Sequence, residues 1–178
     1  MPRIHILGAS GSGTSTLGTA VAARLDCPHH ETDDFLWLPS DPPYQRTRPM
    51  PDRLHRLHAA LVVSRSWVVS GALTGWGNPL VPLLDVVVFV TLDPATRMAR
   101  LLAREVARHG PRIAAGGDMA EGHRIFLEWA AAYDTAGPDQ RSRALHEEWL
   151  ATLPCQVLRL DSAHPPQHLA DEVLAAVQ

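Results

Sequence analysis

The sequence predicts an α/β sandwich built around a largely parallel sheet. Three observations point there. An apolar strand near the N-terminus runs through a glycine-rich turn into a helix, from Ile4 to Thr16. Strand-like and helix-like segments then alternate along the chain, the pattern of parallel strands joined by helical crossovers. Asp85–Leu92, a run of mostly β-branched residues, suits a strand covered on both faces.

Taken in order, Ile4–Leu7 is the first strand and Gly8–Gly13 the turn. The helix opening at about Thr14 continues to Leu25, with Leu17, Val21 and Leu25 on one face. Cys27-Pro28 breaks it, and a polar second strand over Pro28–Glu31 leads to the acidic residues Glu31, Asp33 and Asp34. Pro39–Pro51 holds five prolines together with Arg46 and Arg48 and reads as a loop. Pro51-Asp52 opens a helix to about Arg65, striped by Leu54, Leu57 and Leu61. Trp67–Gly71 is a buried strand, followed by a loop over Ala72–Pro82 with at most one helical turn.

After the strand Asp85–Leu92, Asp93-Pro94 sets an N-cap before proline at the first helical position. That helix carries Arg97, Arg100, Arg104 and Arg108 and stops at His109-Gly110-Pro111. Gly110–Asp118 reads as a loop. Two helices, about Met119–Ala136 and Asp139–Ala151, flank Gly137-Pro138, and the strand Gln156–Leu160 and the helix Pro166–Val177 complete the chain.

The length of 178 residues suits one domain, 1–178, with a sizeable core. A net charge of −3 offers no basic face to nucleic acid or a membrane surface, so neither is an expected partner. Cys27 and Cys155 have no metal or redox spacing, and neither a secretory leader nor a long apolar run is evident. The expectation is a cytoplasmic protein with two reduced thiols. All 16 basic residues are arginine. A genome rich in G and C accounts for much of that bias. It also means that any side chain acting as a fixed cation is an arginine.

Gly8, four intervening residues, Gly13, residue 14 and Ser15 match the phosphate-binding P-loop at every position except Thr14, where the pattern has lysine. A glycine-rich turn that binds nothing can share this spacing, but the strand before it and the amphipathic segment after it favour the cradle. The glycines let backbone N–H groups close on an anion, and the helix start adds its own N–H groups and dipole. Sites in parallel sheets lie at the carboxyl ends of strands. Gly8–Ser15, Glu31–Asp34 and Ser70–Gly77 all follow strand ends, so they converge on one crevice. An acidic trio is by itself more often a solvated loop end; its place beside the phosphate loop favours work on a metal or a hydroxyl. The four arginines of the long helix have an equally plain alternative as solvated charges, with Glu105 a ready partner.

On these residues the chain resembles the P-loop kinases that include adenylate kinase, shikimate kinase and gluconate kinase, over nearly its whole length. Within them it is similar to small adenylate-kinase-related, topology-modulation-like proteins. The resemblance implies a three-layer sandwich of the P-loop NTPase fold, five parallel strands in order 2-3-1-4-5, and a helical lid at about 105–123. It implies ATP with Mg²⁺ and transfer of the γ-phosphoryl group to a small-molecule or nucleotide acceptor. Gly8, Ser10, Gly11, Ser12, Gly13, Thr14, Ser15 and Thr16 would hold the nucleotide, with Arg100 along the adenine and Arg104 at the phosphates in a catalytic role. Glu31 and Asp33 resemble the Asp-x-Asp of the shikimate-kinase branch, Asp33 being the first choice for catalysis and Glu31 the second. Ser15 and Glu31 are the metal candidates. Asp33, Asp34, Arg46, Arg48 and Gly71 are the candidates for holding the acceptor.

The chain departs from that pattern at three places. Thr14 replaces the loop lysine, Ser70 stands where adenylate kinases have an aspartate, and Gly71–Gly77 carries neither a nucleoside-monophosphate arginine nor a glycine triplet. The acceptor is therefore left open. A unit charge about 4 Å from a phosphate contributes roughly 4 kcal/mol at an effective dielectric near 20. Its complete loss from a transition state costs on the order of a thousandfold in rate. Either an arginine substitutes, with Arg46, Arg48, Arg100, Arg104 and Arg112 as candidates, or the protein is a non-catalytic nucleotide-binding regulator or sensor.

Overall fold

The apolar run anticipated over Asp85–Leu92 forms β4, Val86–Thr91, and its alternate side chains enter two different cores. In the computed structural model, which describes residues 1–177, β4 is the fourth strand of a five-stranded sheet. The others are β1 (Arg3–Gly8), β2 (His29–Glu31), β3 (Trp67–Ser70) and β5 (Gln156–Asp161). Their order is β2-β3-β1-β4-β5, and every pairing is parallel. Ile4 lies opposite Val68 on one side and Val86 on the other, which fixes the register of the central strand.

Helices cover both faces, giving three layers. On one face Ile4, Ile6, Val86, Val88 and Val90 pack with Leu17 and Val21 of α1 (Thr14–Leu25) and Leu169 and Val173 of α7 (Pro166–Ala176). On the other, Leu7, Val69, Val87 and Phe89 pack with Leu57 and Leu61 of α3 (Met50–Leu61) and Trp149 and Leu150 of α6 (Arg143–Leu150). Period-2 alternation explains why one β-branched strand serves both cores. Core side chains such as Leu7, Val88 and Phe89 are fully buried; at about 25 cal/mol per Å² of apolar surface, each stabilises the fold by roughly 1.5–3 kcal/mol.

Three local features differ from the sequence reading. Thr32–Leu36 is a short helix, α2, so Asp33 and Asp34 sit in its first turn rather than on a loop. Asn78–Leu83 is a six-residue 3₁₀ helix, longer than the single turn allowed within Ala72–Pro82 and running one residue past it. The helix expected from Asp139 begins only at Arg143, because Ser142 caps it there, its Oγ accepting from Leu145 N–H at 3.0 Å and donating to Gly137 O at 2.7 Å.

The long helix α4 (Pro94–His109) is capped as anticipated, Asp93 accepting from Thr96 N–H at 2.9 Å. It passes into a 3₁₀ turn, Gly110–Ile113, before α5 (Ala120–Ala131). Arg112 in this connection pairs with Asp118 and, across the crevice mouth, with Asp41 of the proline-rich loop. Among the described residues, no helix is long and apolar enough to cross a membrane.

Candidate active site

Parallel pairing brings the carboxyl ends of the strands to one edge of the sheet. Ile6 and Glu31 both lie opposite Ser70, and Gly8 lies opposite Val90. From the central strand the chain turns through Gly8–Gly13 directly into α1. Gly11 and Gly13 have φ of 85° and 89°, left-handed values that L side chains rarely adopt. Ser12 N–H closes the turn by donating to Ala9 O at 3.1 Å. No side chain caps α1, so its first N–H groups face outward with the helix dipole behind them. Ser12 Oγ is buried without a hydrogen-bond partner, 2.5 Å from where a Cβ on Gly8 would stand. A buried, unpartnered hydroxyl is uncommon, and this one is free to donate to an anion's oxygen. Ser10, Thr14 and Ser15 are half-buried and Thr16 is exposed.

Two arginines reach the loop backbone. Arg97 is fully buried and spends its guanidinium on three acceptors: Ser10 O at 3.2 Å, Ala130 O at 3.0 Å and Asp134 Oδ2 at 3.0 Å. It pins the outside of the turn to α4 and the end of α5. Arg141, just before α6, donates from Nη2 to Gly8 O at 2.8 Å and lies over the Trp129 ring at 5.6 Å. No carboxylate of the described residues lies within ion-pair distance of it. Burial lowers its pKa, while the nearby Asp33 and Tyr133 favour its charge. The guanidinium is basic enough to stay cationic at neutral pH.

Asp33 shares this space. Asp33 is exposed at the surface of α2, yet the protein crowding around it raises its pKa from the ordinary value; Glu31 and Asp34 push the same way while Arg141 and a hydrogen bond from Trp37 oppose them. Glu31, the last residue of β2, precedes α2 and is half-buried. Opposite it, Ser70 Oγ is 2.9 Å from His29 Nε2, whose Nδ1 is 3.3 Å from Thr19 Oγ1. His29 is packed against Gly18 of α1, and burial lowers its pKa.

Several residues picked from the sequence stand elsewhere. Arg104 does not reach the loop; its Nε and Nη2 donate to Glu105 Oε1 at 3.1 and 3.0 Å on the surface of α4, the plain alternative noted for it. Arg100 donates to Ser162 O at 3.1 Å, and Ser162 Oγ is 4.0 Å from where a Cβ on Gly13 would stand, so Arg100 flanks the helix-side end of the loop. Arg48 lies 3.7 Å from Asp52 and lines, with Asp34, Asp52 and His55, a separate open cavity of about 470 Å³ that no phosphate-loop residue lines. Asp33 and Asp34, neighbours on α2, therefore face different spaces, as the helix requires and a loop would not. Arg46 is exposed and Arg112 is held by two aspartates. Gly71 has φ of 111° and packs against Thr32, so its absence of a side chain serves the join between β3 and α2. Arg141 is the residue that sequence reasoning missed. It lies in no motif, and only the fold brings it to Gly8.

No family model matches the chain. A shikimate kinase structure from Bacteroides thetaiotaomicron superposes with a TM-score of 0.57 at 16% identity, over 99% of this chain and 97% of that one. A gluconokinase from Sinorhizobium meliloti superposes with a TM-score of 0.53 at 20% identity, over 98% and 90%. A Janibacter sugar kinase does so with a TM-score of 0.53 at 17% identity, over 98% and 93%. In sequence, the chain is 44% identical over 171 residues to the uncharacterised protein YqaC of Bacillus subtilis, covering 96% of this chain and 94% of that protein. The chain therefore belongs to the family of YqaC, built on the fold of the P-loop small-molecule kinases.

Proposed function

We propose that the protein transfers the γ-phosphoryl group of ATP to a hydroxyl of a small-molecule or nucleotide acceptor. The observation that carries this reading is the Arg141 guanidinium, which bonds Gly8 of the loop and lies near enough to Asp33 for the two charges to interact. In the transfer, the acceptor oxygen forms a bond to the γ-phosphorus as the bond to the β-phosphate oxygen breaks. ADP leaves with that electron pair, and Asp33 takes the hydroxyl proton. A carboxylate whose pKa is raised above the usual range suits that role. Backbone N–H groups of Gly11 to Ser15 hold the phosphates, and Arg100 stands on the side where the nucleoside would extend.

The oxygen donors beside the loop fit a hard divalent cation that keeps most of its water. The Ser15 hydroxyl and the Glu31 carboxylate would hold Mg²⁺, which when bound neutralises charge on the β- and γ-phosphates. Thr14 favours a second reading, a nucleotide-binding regulator or sensor of the same fold.

One experiment separates the two. ADP release is measured with ATP, Mg²⁺ and a panel of sugars, sugar acids, other polyols and nucleoside monophosphates, alongside calorimetric ATP binding. The expected result is turnover with at least one acceptor, reduced about 100-fold or more in Asp33→Asn at nearly unchanged ATP affinity. ATP binding without turnover on any acceptor would leave the sensor reading, and no binding at millimolar ATP would remove the phosphate cradle itself.

A further inference from the structure

Thr14 leaves the loop without the cation its spacing calls for, and no lysine exists elsewhere in the chain. The surroundings of Gly8 show what fills the gap. Thr14 Cγ2 lies 3.3 Å from where a Cβ on Gly8 would stand, so the side chain at position 14 folds back over Gly8. The Arg141 guanidinium arrives at the same residue from the other end of the chain, with Nη2 2.8 Å from Gly8 O. Both side chains thus converge on Gly8, where a longer side chain at position 14 would compete with Arg141 for room.

The other arginines near the site are committed. Arg97 has three oxygen acceptors for its two terminal nitrogens, its buried Nε alone lacking a partner, and Arg100 bonds a carbonyl, while Arg104 is held by Glu105 and Arg112 by Asp41 and Asp118. Arg141 has one bond to protein, an aromatic ring beneath it, and a buried Nε with no partner. Its Nη1 has no protein partner among the described residues and is not enclosed. A largely desolvated guanidinium with most of its donors unused is costly to keep unless something binds it.

We propose that Arg141 is the cation of the phosphate loop: it stands in space where the position-14 side chain would reach, and it binds the terminal phosphates of a nucleoside triphosphate. The planar fork gives two donors to a phosphate where an ammonium gives a point charge, and Trp129 holds the plane in place. Placing the charge on a distant segment rather than on the loop ties the loop's affinity for phosphate to the docking of residues 137–143 against it. The assignment rests on the phosphate-cradle reading above but not on catalysis.

Inorganic tripolyphosphate, without metal or acceptor, is the probe. Its affinity is measured by calorimetry for the parent, Arg141→Met, Thr14→Lys and the double variant, with circular dichroism and thermal melting as checks on folding. The expected result is a loss of tenfold or more in Arg141→Met, recovery of most of that loss in the double variant, and no gain from Thr14→Lys alone, because like charges then share one space. Should Arg141→Met fail to fold, Arg141→Gln and the Thr14→Lys variant alone decide the matter. Unchanged affinity in the folded Arg141 variant, or a tenfold gain in Thr14→Lys with Arg141 intact, overturns the assignment while leaving the cradle and the kinase reading standing. A parent that binds no tripolyphosphate overturns the cradle and this assignment together.

Discussion

Gly71 shows how much one missing side chain decides. Its φ of 111° lies in the left-handed region, and an added Cβ would overlap Thr32 Oγ1, a buried hydroxyl at the start of α2. Backbone strain and overpacking each cost about 1–3 kcal/mol, so Gly71→Ala is expected to destabilise the protein by at least about 2 kcal/mol in urea unfolding. Adding Thr32→Ala removes the overlap but not the strain, and recovers only part of the loss. Full recovery would mean that the backbone is not strained. At Gly71, picked from the sequence as an acceptor contact, the structure shows a packing demand that the sequence does not display. A sequence shows a glycine after a strand; it does not show what stands opposite. Arg141 is the converse case. Its surroundings come from Gly8, Trp129, Asp33 and Tyr133, and no local pattern links them.

At the scale of elements, what was legible is what local periodicity or capping dictates. α4 has both Asp93 at its cap and Pro94 behind it, and Asp93 accepts from Thr96 through backbone and side chain, at 2.9 and 3.0 Å. Removing that cap in Asp93→Ala is expected to cost about 1 kcal/mol, read as a lower urea midpoint with an unchanged slope. An unchanged midpoint would show that Pro94 and packing set the helix start unaided. Helix α2 was not legible because five residues give no repeat of hydrophobic spacing. It forms because Thr32 is drawn under Gly71, and the turn of that helix then separates Asp33 from Asp34. The start of α6 slipped for a related reason: Ser142 caps it by satisfying both Leu145 N–H and Gly137 O, and several residues around Gly137-Pro138 had similar capping chemistry.

For the molecule as a whole, the sheet order followed from the family resemblance, and the alternation of strands and helices by itself gave only a parallel sheet. The buried histidines behind the sheet have no sequence signature, yet they are expected to make stability depend on pH. His5 donates to Val69 O from Nδ1 and is held by burial at a pKa of about 4; His146, beside the Tyr133 hydroxyl at 2.8 Å, is held by burial at about 3. Both start from an ordinary 6.5. Between pH 6.5 and 4 the unfolded chain binds these protons and the folded chain does not, so stability falls as pH falls. The loss is about 1.4 kcal/mol per pH unit for each histidine, opposed in part by the raised carboxyl of Asp33. Urea unfolding at pH 7, 6 and 5 tests this, with His146→Gln expected to flatten the decline by about one proton's worth. An equal decline in that variant would place the acid sensitivity in other groups.

The hydrogen bond between Gly8 and Arg141 joins residues 133 apart, and the helix that covers α1 is the last in the chain. Synthesis delivers β1 and its turn well before Arg141 and α7. At roughly 5–20 residues per second the turn waits on the order of ten seconds for the guanidinium that bonds it. During that interval the nascent chain exposes the turn and one bare face of α1, with neither the charge nor the cover that the finished molecule gives them. If the loop and Arg141 bind nucleotide as proposed, a growing chain offers only the weaker site until residue 141 has emerged. On that proposal, birth order along the polypeptide sets when the loop gains its cation.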